Sequence, residues 1–400
     1  MKQIRLVGLI VCACFASFAW AQQGPPNANE TVQSLGNYPG GTWAMLYGIN
    51  DRGVAMGWGD NADGSAHMLA IPVSGPKAGQ WLENGVNSHP GWVGEGGGIN
   101  LFGLAVGNVV GVNGLPIASA WSEKSNAVYT LGMLPGDNVS VALSVNHLGT
   151  LIGGISIRFL YDDPNGLTRW FTPVVWTAQL DSSGGKPTLT WIIHALPMGG
   201  LEQKGQVFEG KILNHWGAWG INDHGQIVGD AWTDSFDEIA VLWTPTHDGG
   251  WEIHRLPHQP GSPGAADNVY TEALSINNKG EIVGAVSPDY WASILPALWR
   301  VTSPKSEKWN LTVLATLSGL PQGANIAKGI NDAGDVVGQS TDENGNALAT
   351  RWRTKDPYNA MLLGFPGDWS IGFAVNNSRM AVGTYSVGGG PQQAVAAQIR

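Results

Sequence analysis

Gly329-Ile330-Asn331-Asp332-Ala333-Gly334-Asp335-Val336-Val337-Gly338 is a phrase that this chain repeats. Gly48-Ile49-Asn50-Asp51-Arg52-Gly53-Val54 opens the series. Ile99-Asn100, Val145-Asn146-His147-Leu148-Gly149, Ile221-Asn222-Asp223-His224-Gly225 and Ile276-Asn277-Asn278-Lys279-Gly280 lie between. Val375-Asn376-Asn377-Ser378-Arg379 closes it, with Arg where Gly usually stands. The seven asparagines fall 45 to 76 residues apart. Repetition at such a period decides the architecture before any single residue can be argued. It also discounts the repeated residues as a catalytic site, because a site is normally unique.

Each period reads as a four-stranded sheet, which needs roughly 40 to 50 residues. The apolar residue before Asn ends one strand. Asn-x-x-Gly makes a tight hairpin, with Asn bonding its own backbone and Gly taking positive φ. Val-Val-Gly or Ile-Val-Gly starts the return strand. A third strand ends in Trp121, Trp176, Trp243, Trp299 or Trp352. A fourth starts near Trp81, Trp191, Trp251 or Trp309, and its apolar and polar residues alternate as in a strand. No stretch after residue 25 holds a helical period, and 57 Gly and 23 Pro punctuate the chain. The expected fold is all-β: a single seven-bladed β-propeller of four-stranded blades. The last repeat stops after a third strand, Ala394–Arg400. Residues 30–36, Glu-Thr-Val-Gln-Ser-Leu-Gly, align with the missing fourth. The ring is therefore expected to close by an N-terminal strand completing the last blade, hiding an open edge.

The chain starts with basic Met1-Lys2-Gln3-Ile4-Arg5, a short apolar core and Ala19-Trp20-Ala21 before Gln22. This pattern is that of a secretory signal peptide over residues 1–21, too short for a membrane span. Residues 22–29 read as a linker and 30–400 as the propeller. A rival cut would leave Cys14 as a lipidated terminus, although Cys12 is unusual inside such a box. Both cysteines, Cys12 and Cys14, lie in the signal. An exported protein of this size needs no disulfide. Removal of Lys2 and Arg5 takes the formal charge from −10 to −12. That balance argues against nucleic acid or an anionic membrane as partner. The expected location is outside the cytoplasm, periplasmic or extracellular, with no membrane span.

The phrase Gly-Ile-Asn-Asp-x-Gly-x-Val-Val-Gly, followed by a strand such as Ala349-Thr350-Arg351-Trp352, resembles the HAF-type extracellular repeat of exported bacterial proteins. The resemblance covers essentially the mature chain. It is best at repeats four and six and weakest at two and seven. It implies an exported bacterial repeat protein, and it carries no activity that transfers residue by residue.

Chemistry is faint in the sequence. The nine histidines form no His-Glu-x-x-His pattern and there is no cysteine pair, so no metal site or cofactor is expected. Asp60-Asn61-Ala62-Asp63-Gly64 and Asp342-Glu343-Asn344-Gly345 resemble fragments of calcium loops without the distal Glu, and read as polar turn tips. There is no Gly-x-Ser-x-Gly elbow and no phosphate-binding loop ahead of a helix. Paired carboxylates are nearest at Asp162-Asp163 and at Asp234 with Asp237. Of the 19 tryptophans, nine have neither a repeat role nor a place in the signal: Trp43, Trp58, Trp92, Trp170, Trp216, Trp219, Trp232, Trp291 and Trp369. Three insertions, Gly153–Trp176, Pro197–Asn222 and Pro257–Asn277, fall on one face over blades three to five. Insertions gathered on one face of a repeat array mark a binding surface.

The sequence alone thus favours an exported bacterial non-catalytic binding or interaction scaffold. Its ligand, a glycan or a protein, would sit on the long-loop face. The candidate contacts are Tyr161, Asp162, Trp170, His215, Trp216, Trp219, Trp232 and Tyr270, with no catalytic residue assigned. The alternative is a carbohydrate-active enzyme, a polysaccharide lyase or glycoside hydrolase, using acidic residues on the same face. A mutually close carboxylate pair, or an Arg or Lys beside a Tyr or His in the central cleft, would favour the enzyme; a flat aromatic shelf without them would favour binding.

Overall fold

A computed structural model describes residues 31–87, 97–160, 168–181, 188–199, 206–208, 211–214, 216–232, 238–258, 270–288, 293–301 and 309–400. Among these residues there are strands and turns and no helix. The first sheet is a meander of Ala44–Ile49, Val54–Asp60, Ala66–Pro72 and Leu82–Asn87. Ile326–Ile330, Asp335–Thr341, Ala347–Arg353 and Asp356–Leu362 form another of the same order. An eight-stranded sheet is two such meanders, Trp216–Arg255 and Tyr270–Val313, joined by one parallel bridge between Glu238 and Tyr270. Thr31–Gly36 pairs antiparallel with the last strand, Gln393–Gln398, in a four-stranded sheet that begins with Trp369–Val375. The architecture is all-β and β-propeller-like.

The repeated phrase has a physical reason at each position. The asparagine Oδ1 accepts backbone N–H groups of its own turn; Asn331 takes Asp335 N at 2.8 Å and Asn50 takes Arg52 N at 3.1 Å and Val54 N at 3.0 Å. Its Nδ2 then leaves the repeat. It donates to the main-chain oxygen of the next repeat asparagine: Asn222 to Asn277, Asn277 to Asn331 and Asn331 to Asn376, at 2.9–3.1 Å. Asn376 of the last repeat donates to Asn50 of the first at 2.9 Å, and Asn50 to Asn100 at 2.9 Å. Asn146 differs and gives its amide to Thr150 of its own turn. All seven asparagines are buried. A buried amide satisfied on both sides costs little, whereas one left unpaired is expensive.

The residue after Asn adds a second set of links. Asn377 N donates to Asp51 Oδ1 at 2.7 Å, Asp332 N to Asn377 Oδ1 at 2.9 Å and Asn278 N to Asp332 Oδ1 at 2.8 Å. The glycine of the return strand is fixed by the strand beside it. At Gly229, Gly284 and Gly338 a Cβ would collide with the main-chain oxygens of Gly217, Glu272 and Ile326. Arg379, standing where the turn glycine stands elsewhere, adopts φ 62°. Its guanidinium reaches back to the buried Asp335 of the preceding repeat at 3.0 Å. An ion pair there accompanies a strained turn.

The strand-three tryptophans fill the space between successive sheets. Trp121, Trp176, Trp243, Trp299 and Trp352 are almost wholly buried. Three of them pin the connection arriving from the preceding sheet. The indole N–H groups of Trp243, Trp299 and Trp352 donate to Pro197 O, Pro257 O and Ala315 O at 2.8, 2.8 and 2.7 Å. A large ring with its N–H satisfied is what such a site needs. Of the tryptophans without a repeat role, Trp58 is also core.

Replacing Trp243 or Trp299 by Ala should cost roughly 3–5 kcal/mol of unfolding free energy in chemical denaturation, as for other buried large aromatics. A loss under about 1 kcal/mol would mean that the rings are not core. Deleting Thr31–Gly36 leaves Gln393–Gln398 as an unpaired edge and removes the contact of Val32 with its core cluster. The truncated protein should melt lower and aggregate, as read by calorimetry and light scattering. Unchanged melting would mean that the pairing carries no stability.

Candidate functional site

The repeat strands end in Asn at one face and begin at the other, where the connections enter. Along their common axis lies a cavity of about 200 Å³. Each repeat contributes to it three residues, from Tyr47-Gly48-Ile49 to Phe373-Ala374-Val375. Among the described residues, and apart from the Glu238–Tyr270 bridge, the strands shown by their pairing to stand first in a meander have one edge without a partner strand, and most carry a register irregularity between the fourth and second residues before Asn. Small residues sit there because neighbouring strands converge. A Cβ on Gly329 would meet Phe373 O at 2.6 Å, and one on Gly220 would meet Leu274 O at 2.9 Å.

Most of the lining side chains are repetitive and apolar, with main-chain groups, Ser144 and Ser275 between them. Trp219 and Lys328 are exceptions, and both lead to a group of carboxylates. The Trp219 indole N–H donates to Asp230 Oδ1. Asp230 lies on the second strand of its repeat, opposite Ala240 in the third. Glu238 begins that third strand, opposite Trp232, and bridges to Tyr270 of the next repeat. Tyr270 is hydrogen-bonded to Glu272 two residues on. Asp230, Glu238 and Tyr270 are 1, 5 and 3 % exposed. Two carboxylates so deeply buried, with a third beside them, require an explanation.

Electrostatics divides the group. Burial pushes the Glu238 carboxyl well above the usual carboxylate range. Repulsion from Asp230 and Glu272 pushes it the same way, and Lys328 opposes. Oε2 of Glu238 has no hydrogen-bond partner among the described residues. Burial also raises Tyr270, helped by the charges of Glu272 and Glu238 and by its bond to Glu272. The result is a carboxyl group that holds its proton to higher pH than an exposed one, beside further carboxylates and next to a cavity. Among the described residues no group of three His, Cys, Asp or Glu side chains is set to hold a metal ion. The calcium-like fragments are closed turns. Asp60 accepts Thr42 N and Trp43 N at 2.6 and 2.9 Å, and Asp342 accepts Asn344 N and Asn346 N at 2.9 and 2.8 Å.

Two of the ligand contacts expected from sequence reach this group. Trp219 lines the cavity and holds Asp230, and Tyr270 lies within the cluster. Both are in strands rather than inserted loops. Trp170 is also in a strand, half-buried and paired with Arg158, because the Gly153–Trp176 insertion largely lengthens a hairpin. Trp216 and Trp232 occupy strand ends opposite Ala231 and Glu238. Tyr161, Asp162 and His215 lie outside the described residues, as do Asp163, Asp234 and Asp237. Asp230, Glu238, Glu272 and Lys328 were not singled out by the sequence. Their signal was present: Asp230 follows the return-strand glycine where Ala285, Gln339 and Thr384 stand in other repeats.

No family model matches the chain, and no curated protein matches it. Solved structures of similar fold exist. An oligogalacturonate lyase in complex with manganese is 12% identical, with a TM-score of 0.54, over 94% of this chain and 95% of that one. A puromycin-hydrolyzing peptidase of Mycobacterium tuberculosis is 11% identical, TM-score 0.53, over 90% of this chain and 55% of that one. An acylaminoacyl peptidase of Pyrococcus horikoshii is 11% identical, TM-score 0.50, over 88% and 51%. This chain therefore spans about half the length of the two peptidases. At such identities the likeness is one of fold. All three are enzymes by name, and the expectation of a non-catalytic scaffold is corrected on that finding. The physical reason lies in the cluster: a docking surface has no need of a buried, unpartnered acid beside an axial cavity. Among the described residues no helix is long and apolar enough to cross a membrane.

The raised Glu238 gives a signed prediction. Above the unfolded glutamate value of about 4.3 the unfolded chain loses this proton while the folded chain keeps it. Stability should fall as pH rises from there to the folded value. Glu238→Gln should lack that fall and should melt relatively higher at neutral pH. Parallel melting curves for the two proteins across pH 4–8 would show that Glu238 is ionised in the fold.

Proposed function

We propose that this chain is an exported seven-bladed β-propeller, closed by its N-terminal strand, that cleaves glycosidic bonds at the Asp230–Glu238–Glu272 cluster. The observation that carries the enzymatic reading is Glu238, whose carboxyl is raised by burial and whose Oε2 has no partner among the described residues, set among other carboxylates beside the cavity. Cleavage of a glycoside needs an acid for the leaving oxygen and a carboxylate for the opposite face. Glu238 supplies the proton to the glycosidic oxygen as the bond to the sugar carbon breaks. Asp230, oriented by Trp219, accepts a proton from the attacking water. Lys328 acts on Glu238 with the opposite sign to the carboxylates and limits how far its acidity falls. The asparagine bonds running from the last repeat back to the first, and the pairing of Thr31–Gly36, support the closed ring. The amino-terminal pattern supports export, and the repeat phrase supports a HAF-type protein.

A second reading has its own observation. Lys328 acts on Glu238 and Tyr270 is bonded to Glu272, a base and a phenol of the kinds that β-elimination on a uronate would use, and the fold resembles that of an oligogalacturonate lyase. One screen separates the two. The mature protein is incubated with neutral glycans and with polyuronates, and both reducing ends and ultraviolet-absorbing unsaturated products are followed. Hydrolysis predicts reducing ends without unsaturation. Glu238→Gln should lower kcat by about 10²–10⁴-fold, the usual contribution of a general acid. Unsaturated products would establish the lyase, and undiminished activity in Glu238→Gln would remove that residue from the chemistry.

A further inference from the structure

The axial cavity has features that the cleavage reading leaves unused. Towards the asparagine face it is lined by the β-branched residue that precedes each repeat asparagine, from Ile49 to Val375. These residues narrow the axis. Towards the other face the walls change character. Tyr47 and Phe373 pack with ring centroids 4.6 Å apart, and Trp219 and Lys328 stand in the same lining. The cavity is thus a cup, with its apolar end at the repeat asparagines and its aromatic end towards the carboxylates.

Its size and chemistry define an occupant. About 200 Å³ is below the roughly 300–1,000 Å³ of pockets that take drug-sized ligands. It holds one small ring and not a chain. Gly97 N already donates to Leu143 O across the lining, and the Ser275 hydroxyl stands in the same wall, so the cavity suits a ligand that both donates and accepts hydrogen bonds. The aromatic rings offer flat apolar faces. Lys328 opposes a cation, and the carboxylates above oppose an anion. An uncharged sugar residue meets all of these conditions.

We propose that the axial cavity is a subsite for one uncharged sugar residue at a chain end, so that the enzyme trims glycans from a terminus. The proposal rests on the glycoside-cleaving reading for its direction of attack, and on the cavity alone for its ligand. The wedge of Trp219 joins the two parts. Its ring lines the cup while its N–H holds Asp230, which places the scissile bond at the rim.

The test uses the mature full-length protein and a panel of methyl glycosides of neutral hexoses and pentoses, with the matching uronates. Binding is read by ligand-observed NMR and calorimetry. Ser275 lines the cup, and Ser275→Leu fills it, while Ser275→Ala keeps it open. At least one neutral glycoside should bind wild type, and Ser275→Ala should keep more of that binding than Ser275→Leu. Ser275→Leu should bind it at least about tenfold more weakly, a difference of ~1.4 kcal/mol. If Ser275→Leu does not fold, Ala374→Val narrows the same lining. On oligosaccharides the first product should be a single sugar residue. No neutral glycoside bound, binding unchanged in the filled cup, or a preference for uronates would overturn the subsite. Binding with mid-chain products would overturn terminal trimming. Binding without any cleavage would leave the subsite standing and sink the hydrolytic reading instead.

Discussion

Most repeat asparagines use the side chain twice, Asn146 keeping its amide within its own turn, and the rest of the structure depends on that. The oxygen shapes the local hairpin, and the nitrogen ties that hairpin to the neighbouring repeat. A sheet of four strands has two apolar faces that it cannot bury alone. The asparagine couples the turn that ends one inner strand to the burial of those faces between sheets. It also does so near the axis, where the strands converge and the residue two before Asn is small. Local geometry and long-range assembly are thus encoded in one residue per repeat, which is why the phrase recurs with so little change.

The same economy explains where function can reside. Positions that hold the repeats together are committed, since their polar atoms are already bonded. Variation is free elsewhere on the inner strands and on the ends of the second and third. There the chain places Trp219, Asp230, Glu238, Tyr270, Glu272 and Lys328. Three adjacent repeats contribute, so the cluster exists only when the sheets are assembled. Its electrostatic character follows from burial. A carboxyl removed from water near two others stays neutral at a pH where an exposed one would not. The frame therefore provides both the stability that offsets this burial and the low-dielectric setting that makes the acid useful.

The fold was largely legible in the sequence because repetition is a long-range signal that one chain carries by itself. The Asn-x-x-Gly turn, the strand-three tryptophans and the pairing of Thr31–Gly36 were all readable from alignment of the chain with itself. The site was not. Asp230 and Glu238 are eight residues apart, while Glu272 and Lys328 come from the next two repeats, and no spacing rule brings them together. Insertion length pointed instead to Tyr161, Asp162 and His215. What the sequence did offer was a departure from the repeat: a charge at Asp230 and Glu272 inside strands that are otherwise apolar or small. In a repeat protein the residues that break the pattern identify the site better than the residues in its longest loops.

The central claim is that Glu238 is a neutral acid in the folded protein at the pH where an ordinary glutamate is ionised. Infrared difference spectroscopy of the wild type against Glu238→Gln reads this directly through the carbonyl stretch of a protonated carboxyl group. At pH 7 the wild type should show such a band, and the variant should lack it. A wild-type spectrum with only ionised carboxylates at pH 7 would contradict the account, since the cluster would then hold no acid to give.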